Sequence, residues 1–404
     1  FDVVVVGAGP AGIATALALH HVGATVALAG PPPPTAALPR PETRTAALLT
    51  NSVDFLKRLG VWEQLAPDAA PLTAIRIVDA SRSLLRSPDI SFEARELDLA
   101  TFGFNIANTT LNAVLYDRAR EMIPHVVCET IETVSLDDDQ AALTLGTGEQ
   151  LKARLVAGAD GRRSVCRQAA NIETRDWRYD QSAIASSFRH SLPHEGVATE
   201  LHREGGSVTS VPTPEPRTSS LVWVCSSAEA KTLMDQDETD FAASLQEHFD
   251  ETLGVISDVG PRACFPVAGL TAKQLAANRT ALIGEAAHIM APIGAQGLNL
   301  GLRDAAALAD CVAEALRHGR DPGGPYVLAQ YVRARQLDVL SRTIGVDLLG
   351  RSLLTTLGPV QLARSAVLTG LKNFAPLKRL VMKAGLAPPA ELPRLMRPIE
   401  SMPA

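Results

Sequence analysis

The sequence has few of the features that mark secreted, metal-binding or membrane-spanning proteins. Its five cysteines are scattered and show no C-x-x-C spacing, so neither a disulfide framework nor a zinc site is predicted, and a reducing compartment is expected. No run of about eighteen apolar residues is present, so no transmembrane helix is predicted. The chain starts with a strand pattern and lacks the charged and apolar regions of a signal peptide, which predicts a cytoplasmic protein.

Aromatic residues and positive charge are also scarce. Phe, Trp and Tyr make up 4% of the chain, and the formal net charge is −6 with a pI near 5.9. A general nucleic-acid-binding protein normally carries a strongly basic domain, so nucleic acid is not an expected partner. The C-terminal tail differs from the rest: residues 326–404 contain eleven Lys or Arg against four Asp or Glu, whereas the preceding residues contain 27 against 40.

Length and composition predict a globular protein of two domains. A chain of 404 residues exceeds the roughly 250 to 300 residues over which a single core grows efficiently. Hydrophobic residues make up 46% and charged residues 20% of the chain, close to the averages for soluble proteins. Disorder and fibrous repeats are therefore excluded.

The N-terminal sequence predicts a nucleotide-binding unit. An apolar run at residues 3–6 is typical of a strand buried on both faces, and G-A-G-P-A-G, a helix pattern and a second strand pattern follow. In such a unit Gly7 permits a tight turn, Gly9 lets a pyrophosphate approach the backbone, and Gly12 lets the helix pack on the strand. The helix N-terminus then attracts phosphate. By itself this motif does not distinguish FAD from NAD.

The acid that usually accompanies this motif is missing. In such units the second strand commonly ends in Asp or Glu, whose carboxylate binds the ribose hydroxyls. Here Gly30 stands at that position and four prolines follow it. We therefore expect the adenosine ribose to be held by backbone groups, water or a residue from the following segment.

The rest of the chain alternates between helix patterns and strand patterns. Residues 44–62 have apolar positions close to helical spacing and predict an amphipathic helix. Between Ser182 and Cys225, short Ser/Thr/Val-rich segments separated by turn residues predict an antiparallel sheet, which residues 73–80 are expected to join. From Arg279 onwards the pattern is a short strand, a Gly/Pro-rich loop and a long Ala/Leu helix.

The segment GEAAHIMAPIGAQGLNLGLRD, residues 284–304, resembles the second flavin-contacting motif of the single-component aromatic-ring flavoprotein monooxygenases. That motif reads G-D-A-A-H, then proline, then G-x-G-x-N. Its carboxylate can accept hydrogen bonds from the ribityl hydroxyls, and the following helix N-terminus can stabilise negative charge on the reduced flavin. This chain departs from it at two positions, Glu285 for Asp and Ala295 for the first glycine of the later pair. Because Glu is longer by about 1.5 Å, a small shift of the backbone or the ribityl chain is expected.

A third segment, GADGRRSVCR at residues 158–167, resembles the Asp-Gly motif of the same family through Asp160, Gly161, Ser164 and Arg167. The family motif supports both the flavin and the reduced nicotinamide. Alone, the segment also fits an Asp-Gly turn that caps a helix. Its place between the two flavin motifs, in family order, favours the cofactor role.

Over nearly its whole length the chain resembles the ubiquinone-biosynthesis branch of this family, the 2-polyprenylphenol hydroxylases, for example in RTAALL, FGFNIANTTLNAVL, YVRARQLD and LPRLMR. The resemblance implies FAD as cofactor, NAD(P)H as co-substrate, and transfer of one oxygen atom of O2, through a flavin C4a-hydroperoxide, to the ring of a polyprenylated phenol. It implies that the ring lies near Pro292, Ile293 and Gly294, against the inner face of the inserted sheet. No catalytic side chain is predicted, and His288 is expected to order its loop.

The predicted fold is α/β. A Rossmann-like FAD-binding domain of the aromatic hydroxylase type is expected in residues 1–72, 101–178 and 272–325, an inserted antiparallel β-sheet substrate domain in 73–100 and 179–271, and a C-terminal helical region in 326–404. The resemblance and the motifs together predict these cofactor contacts: Gly7, Gly9, Ala11, Gly12, Arg44, Asn108, Asp160, Gly161, Gly284, Glu285, Ala286, Gly297, Leu298 and Asn299. No metal site is predicted.

Several alternatives stay open at this level. The basic tail fits either an amphipathic surface on anionic lipid, which would make the protein peripheral to the inner membrane, or a solvated face of ordinary helices. The fold also suits a flavin-dependent reductase or dehydrogenase of isoprenoid lipids. A non-catalytic subunit that binds FAD or a quinone precursor within a ubiquinone-biosynthesis complex is the third hypothesis. The sequence does not indicate an oligomeric state.

Overall fold

The computed structural model describes residues 1–33, 43–80, 88–203, 205–249, 252–354, 358–386 and 391–399. In chain order the first elements are β1 (Val3–Val6), α1 (Pro10–His21), β2 (Val26–Ala29), β3 (Thr45–Leu49), α2 (Thr50–Arg58), α3 (Trp62–Leu65), β4 (Ala70–Pro71), β5 (Ala74–Asp79), β6 (Ile90–Glu93), β7 (Gly103–Ala107), α4 (Asn108–Met122) and β8 (His125–Val127).

The middle of the chain supplies β9 (Ile131–Leu136), β10 (Ala141–Leu145), β11 (Gln150–Ala153), β12 (Leu155–Gly158), α5 (Val165–Ala169), β13 (Thr174–His190), β14 (Val197–Arg203), β15 (Gly206–Pro212), β16 (Thr218–Ser226), α6 (Ser227–Asp235) and α7 (Glu238–Phe249). The last part contains β17 (Ile256–Ser257), β18 (Ala263–Ala272), β19 (Ala276–Ala277), β20 (Thr280–Leu282), β21 (His288–Ile289), α8 (Gln296–Arg317), α9 (Pro325–Leu354), α10 (Gly358–Asn373) and α11 (Ala375–Leu386).

A six-stranded sheet with the order β19-β20-β12-β1-β2-β8 carries the N-terminal motif. Its central strand β1 pairs in parallel with β2 on one side and with β12 on the other, and all four of its valines are buried. Because the chain leaves β1 towards β2 while β12 lies on the opposite side, the strand order reverses at β1. The carboxyl end of β1 is therefore a switch point, where open α/β sheets commonly bind ligands.

A nine-stranded sheet occupies the middle of the chain, with the order β21-β18-β13-β16-β15-β14-β5-β6 and β17 paired to β13. The prediction that residues 73–80 join this sheet is confirmed, since β5 pairs with β14. That pair is parallel, however, so the sheet is not wholly antiparallel as predicted. The reason is topological: β5 enters from an earlier part of the chain and does not follow β14 through a hairpin.

The two faces of the large sheet have different neighbours. Alternate residues of β16, such as Leu221 and Trp223, pack in one apolar cluster with Phe241 and Phe249 of α7. Val222 and Val224 project to the opposite face, as the period of two along a strand requires. We call this opposite face the inner face. It carries Val222 and Val224 on β16 and the residues that pair with them on the adjacent strands.

The prediction of one helix over residues 44–62 is wrong in its first part. Thr45–Leu49 form β3, which pairs antiparallel with β7, and the helix α2 begins only at Thr50. Ala and Leu favour a helix locally, but antiparallel pairing with β7, a distant part of the chain, overrides this preference. The strand brings the residues just before it to the large sheet, where Arg44 lies over Phe265 of β18.

The C-terminal helices pack against the six-stranded sheet and the end of the large one. Helix α9 contacts α8, and Arg335 of α9 forms buried ion pairs with Asp304 of α8 and with Asp338. Met382 of α11 packs with Phe102 and Ala94. Among the helices in the described ranges, none is long and apolar enough to cross a bilayer.

Candidate functional site

Two helix N-termini lie side by side at the carboxyl end of β1. A Cβ built on Gly301 in the second turn of α8 would lie 3.2 Å from the Ala11 side chain in the first turn of α1. Within the described residues, neither N-cap, Gly9 or Ala295, provides a side-chain hydrogen bond, and neither first turn contains an acid. The unpaired amides and the positive ends of both helix dipoles therefore face a common region, which suits an anion.

The glycines of the three motifs shape this region. A Cβ on Gly7, whose φ is +109°, would overlap the carbonyl of Ala159, and a Cβ on Gly12 would overlap the carbonyl of Gly7. A Cβ on Gly9, Gly161 or Gly297 would instead meet no atom of the described chain within 4 Å. One set of glycines thus permits close backbone packing, and the other set borders open space.

Gly30 could not be an acid in this backbone. Its φ is +156°, and a Cβ there would lie 2.8 Å from the Ala8 amide nitrogen. The end of β2 therefore passes too close to the glycine turn for any side chain. The ribose was predicted to be held by backbone groups, water or a residue from the following segment, and residues 34–42 of that segment lie outside the described residues.

The Asp160 carboxylate is engaged by its own loop. Ser164 Oγ donates a hydrogen bond to Asp160 Oδ1 (2.6 Å), and the Cys166 amide donates to Oδ2 (3.1 Å). The adjacent Arg167 donates from Nη1 to the Ala286 carbonyl (2.8 Å). The Asp-Gly motif therefore caps the short helix α5, and through Arg167 it also fixes the loop of the flavin-type motif.

Asn299 acts as a four-way connector. Its Oδ1 accepts hydrogen bonds from the Leu49 amide (2.9 Å) and from Ser52 Oγ (2.7 Å). Its Nδ2 donates to the carbonyls of Ala47 (2.7 Å) and Ala295 (2.6 Å), and the residue is fully buried. All four hydrogen bonds go to protein groups, so this side chain joins β3 and α2 to the start of α8.

Glu285 differs from its neighbours Gly284 and Ala286 because it is exposed while they are buried. Its carboxylate makes no hydrogen bond or ion pair with any residue the structure describes. Leu298, one turn further along α8 than its N-cap, is half-buried. Of the predicted contacts in this loop, only Glu285 offers a charged side chain to a ligand.

Arg44 and Asn108 are brought together, although 64 positions separate them in the sequence. The Asn108 amide at the start of α4 donates to the Arg44 carbonyl (3.1 Å). The Arg44 guanidinium is exposed and lies over the ring of Phe265, 4.8 Å from its centroid. The two predicted residues therefore lie together at the paired ends of β3 and β7, and Arg44 reaches β18 of the large sheet.

The flavin-type loop contacts the inner face directly. Ile293 packs in one apolar cluster with Val222, Val224 and Ala183 of the large sheet. The flanking residues Pro292 and Gly294 are exposed, and Gly294 has a φ of +63°. Sequence reasoning placed the loop against the sheet but could not name these three sheet residues, because small apolar residues of a strand carry no motif.

A buried polar network behind the loop was not predicted from the sequence. His288 Nε2 lies 2.7 Å from Asp304 Oδ2, and the same oxygen accepts a hydrogen bond from the Gly284 amide (3.0 Å). Arg335 Nε donates to Asp304 Oδ1 (2.7 Å). Burial opposes ionisation of Asp304, but His288 and Arg335 hold its pKa below the usual value. Asp304 thus links the loop to α9, which supports the loop-ordering role predicted for His288.

These residues fit FAD on structural grounds. The paired helix starts and the open space at Gly9 suit a pyrophosphate. The exposed Glu285 can accept hydrogen bonds from hydroxyl groups. A surface cavity of about 910 Å³ lies elsewhere, between residues 271–279 and the start of α9, and none of the predicted cofactor contacts lines it.

Comparisons with known proteins agree with this geometry. Residues 1–339 match the family model described as an FAD binding domain. The chain is 34% identical over 402 residues to the ubiquinone hydroxylase UbiL of Rhodospirillum rubrum, covering 98% of this chain and 92% of that protein. It is 31% identical over 390 residues to the 3-demethoxyubiquinol 3-hydroxylase of Escherichia coli, covering 95% of this chain and 98% of that one.

Solved structures share the fold at low identity. The p-nitrophenol 4-monooxygenase PnpA of Pseudomonas putida superposes with a TM-score of 0.76 at 20% identity, covering 96% of this chain and 99% of that chain. The Diels-Alderase PyrE3 gives 0.72 at 22% identity, covering 97% and 82%, so this fold also serves other chemistry. The family assignment therefore depends on the sequence relatives. On that basis the chain belongs to the FAD-binding ubiquinone-biosynthesis hydroxylases, a group of FAD-dependent aromatic monooxygenases.

Proposed function

We propose that this protein hydroxylates the aromatic ring of a polyprenylated phenol in ubiquinone biosynthesis, using NAD(P)H and O2. The observation that carries the proposal is that Ile293, in the flavin-type loop, packs in one apolar cluster with Val222 and Val224 of the inner face. This cluster forms an apolar boundary where a phenol ring can lie between the loop and the sheet. The relatives named ubiquinone hydroxylases support the choice of substrate class.

The chain supplies binding, orientation and exclusion of water. FAD, when bound, supplies the redox chemistry: it accepts electrons from NAD(P)H and activates O2. We assign the pyrophosphate to the α1 N-terminus at Gly9 and Ala11, and hydroxyl recognition to Glu285. Arg44 and Asn108 would flank the ring system, and Gly297 would let it approach the α8 N-terminus. The apolar cluster around Ile293 would keep water from the reacting carbon.

The remaining predicted residues would act through their backbone groups or by positioning other residues that touch FAD. Asp160, Gly161 and Asn299 would position the loops that touch FAD, since the side chains of Asp160 and Asn299 bond to protein groups. The division into an FAD-binding part, an inserted sheet and a C-terminal helical region, with the boundaries given above, stays a prediction.

We also propose that the C-terminal helices bind an anionic membrane surface. Large apolar side chains are exposed there, with Val367, Phe374 and Leu380 at 60%, 59% and 64%. Basic residues such as Lys372 and Lys383 interleave with them, and a cation near an anionic surface contributes about 1 kcal/mol. A polyprenyl chain would enter from such a surface. The same surface suits a partner in a ubiquinone-biosynthesis complex, and co-purification with a protein instead of lipid binding would favour that partner.

The function is tested with the purified protein, FAD, NADPH or NADH, isotopically labelled O2 and a short-chain 2-polyprenylphenol. We expect a product that contains one labelled oxygen atom on the ring. NAD(P)H consumption with a reduced isoprenoid product would indicate a reductase, and FAD binding without turnover would indicate a binding subunit. Deleting the gene and identifying the accumulated quinone precursor by mass spectrometry would show which ring position is hydroxylated.

A further inference from the structure

A hydrogen-bonded histidine and glutamate lie on the inner face of the large sheet. His202 Nε2 is 2.8 Å from Glu200 Oε1, both on β14. The His202 side chain is 8% exposed and that of Glu200 is 16% exposed. A buried pair of this kind is a candidate for proton transfer when it faces a substrate space.

Strand register fixes the face to which this pair belongs. Glu200 pairs with Thr209 of β15, which pairs with Val222 of β16. In the next row on the same face, His202 pairs with Ser207, which pairs with Val224. Directly paired residues project to the same side of a sheet. His202 and Glu200 therefore share the inner face with the two valines of the apolar cluster that includes Ile293.

The neighbouring residue of the same strand verifies this orientation. Leu201 lies between the two and packs in the cluster formed with α7, on the opposite face. Its register partners Val208 and Trp223 belong to that cluster as well. Two strand spacings separate β14 from β16, which places the pair about 10 Å along the inner face from the apolar cluster. A phenol ring lying over Ser207 and Thr209 would bridge this interval.

The hydrogen bond defines what His202 can do. An ionised Glu200 carboxylate only accepts hydrogen bonds, so His202 Nε2 carries the proton of that contact. In the neutral imidazole Nδ1 then has a lone pair, and it makes no hydrogen bond to any described residue. We propose that His202, held in this tautomer by Glu200, accepts the hydroxyl proton of the phenol during the proposed hydroxylation, on which this inference rests.

The step is a proton transfer without change of oxidation state. The phenol O–H bond breaks, an Nδ1–H bond forms on His202, and a phenolate and an imidazolium result. Glu200 stabilises the imidazolium through the existing hydrogen bond. The phenolate ring is more electron-rich than the phenol, which favours transfer of an electrophilic oxygen to carbon. The proton returns to the oxygen of the hydroxylated product.

The experiment compares wild type, His202→Asn and Glu200→Gln on a series of ring-fluorinated phenols of decreasing pKa. With the parent phenol we expect His202→Asn to lower kcat about 100-fold or more, as loss of a general base does, with a smaller change in KM. Glu200→Gln should give a smaller loss. The ratio of variant to wild-type kcat should rise towards one as the phenol pKa falls, because an already ionised substrate needs no base.

A matched control and an independent measurement separate this role from a structural one. His248→Asn removes a largely buried histidine on the opposite side of the sheet, where its ring lies perpendicular to that of Trp223, and should keep wild-type kcat. FAD content and Tm of each variant report folding. The absorbance spectrum of the phenol bound to wild type should show phenolate, and this measurement needs no variant.

The possible failures are distinguishable. If wild type hydroxylates the phenol but binds it in the neutral form, or if the variant-to-wild-type ratio stays constant over the fluorinated series, the role of His202 is refuted while the function stands. If wild type yields no hydroxylated product with any phenol of the series, the proposed function itself fails.

Discussion

Replacing Asn299 by Asp should destabilise the protein and weaken FAD retention together. The substitution keeps the two accepted bonds from Leu49 and Ser52 but replaces Nδ2 by an oxygen atom facing the carbonyls of Ala47 and Ala295. Each buried carbonyl that loses its donor costs about 1 to 3 kcal/mol. Two such losses give about 2 to 6 kcal/mol, and the repulsion between oxygen atoms adds to this cost.

The FAD effect follows from where these bonds lie. Ala295 is the N-cap of α8 in the left-handed conformation, with a φ of 54°, and Ala47 belongs to the strand that follows Arg44. Releasing both would let the α8 N-terminus and β3 move apart. Thermal unfolding with and without added FAD, and FAD titration by fluorescence, measure the two effects. Asn373→Asp on the exposed face of α10 is the matched control and should behave like wild type. An Asn299→Asp protein with unchanged Tm and FAD affinity would refute this reasoning.

Three further changes have defined outcomes. Gly30→Asp, which places an acid at the end of β2, should lower both Tm and FAD affinity, because its Cβ would lie 2.8 Å from the Ala8 amide; tighter FAD binding would contradict this steric argument. Burial, with Arg203 nearby, lowers the pKa of His248 to about 4, so the folded state binds this proton less readily than the unfolded state. Stability should therefore fall as the pH drops from about 6.5 towards 4, and urea unfolding of His248→Asn should show a shallower decrease. Replacing Lys372 and Lys383 by Glu should reduce flotation with anionic liposomes, and equal flotation would count against the membrane proposal.

The sequence predicted those parts of the fold that depend on local chemistry. The strand, glycine turn and helix at residues 3–21 follow from an apolar run, three glycines and a helix-forming segment, and they are present. Residues 45–49 were predicted wrongly, because Ala and Leu favour a helix and only the distant β7 determines that they form a strand. The parallel pairing of β5 with β14 was missed for the same reason. Neither partner strand lies within the local window on which propensity and periodicity depend.

The candidate site divides in the same way. Its glycines could be predicted, since a positive φ or a close backbone approach leaves few alternatives. The residues that hold the motifs together were not assigned these roles: Arg167 reaches the Ala286 carbonyl, and Asp304 reaches the Gly284 amide and Arg335. Such contacts join segments more than a hundred positions apart or bury a charge within a helix, and neither leaves a pattern in a single sequence.

The structure explains the two departures from the family motif, Glu285 and Ala295. Glu285 is exposed and contacts no described residue, so a side chain longer by one methylene meets no packing constraint there. Ala295 adopts a left-handed conformation, with a φ of 54°, that glycine would adopt without strain. Its carbonyl accepts a hydrogen bond from Asn299, which also bonds to Ala47, and these bonds hold the strained N-cap in place. The motif therefore tolerates change where a side chain points outward, and where a backbone strain is compensated by a buried hydrogen bond. It should not tolerate change at Asn299, which provides that compensation.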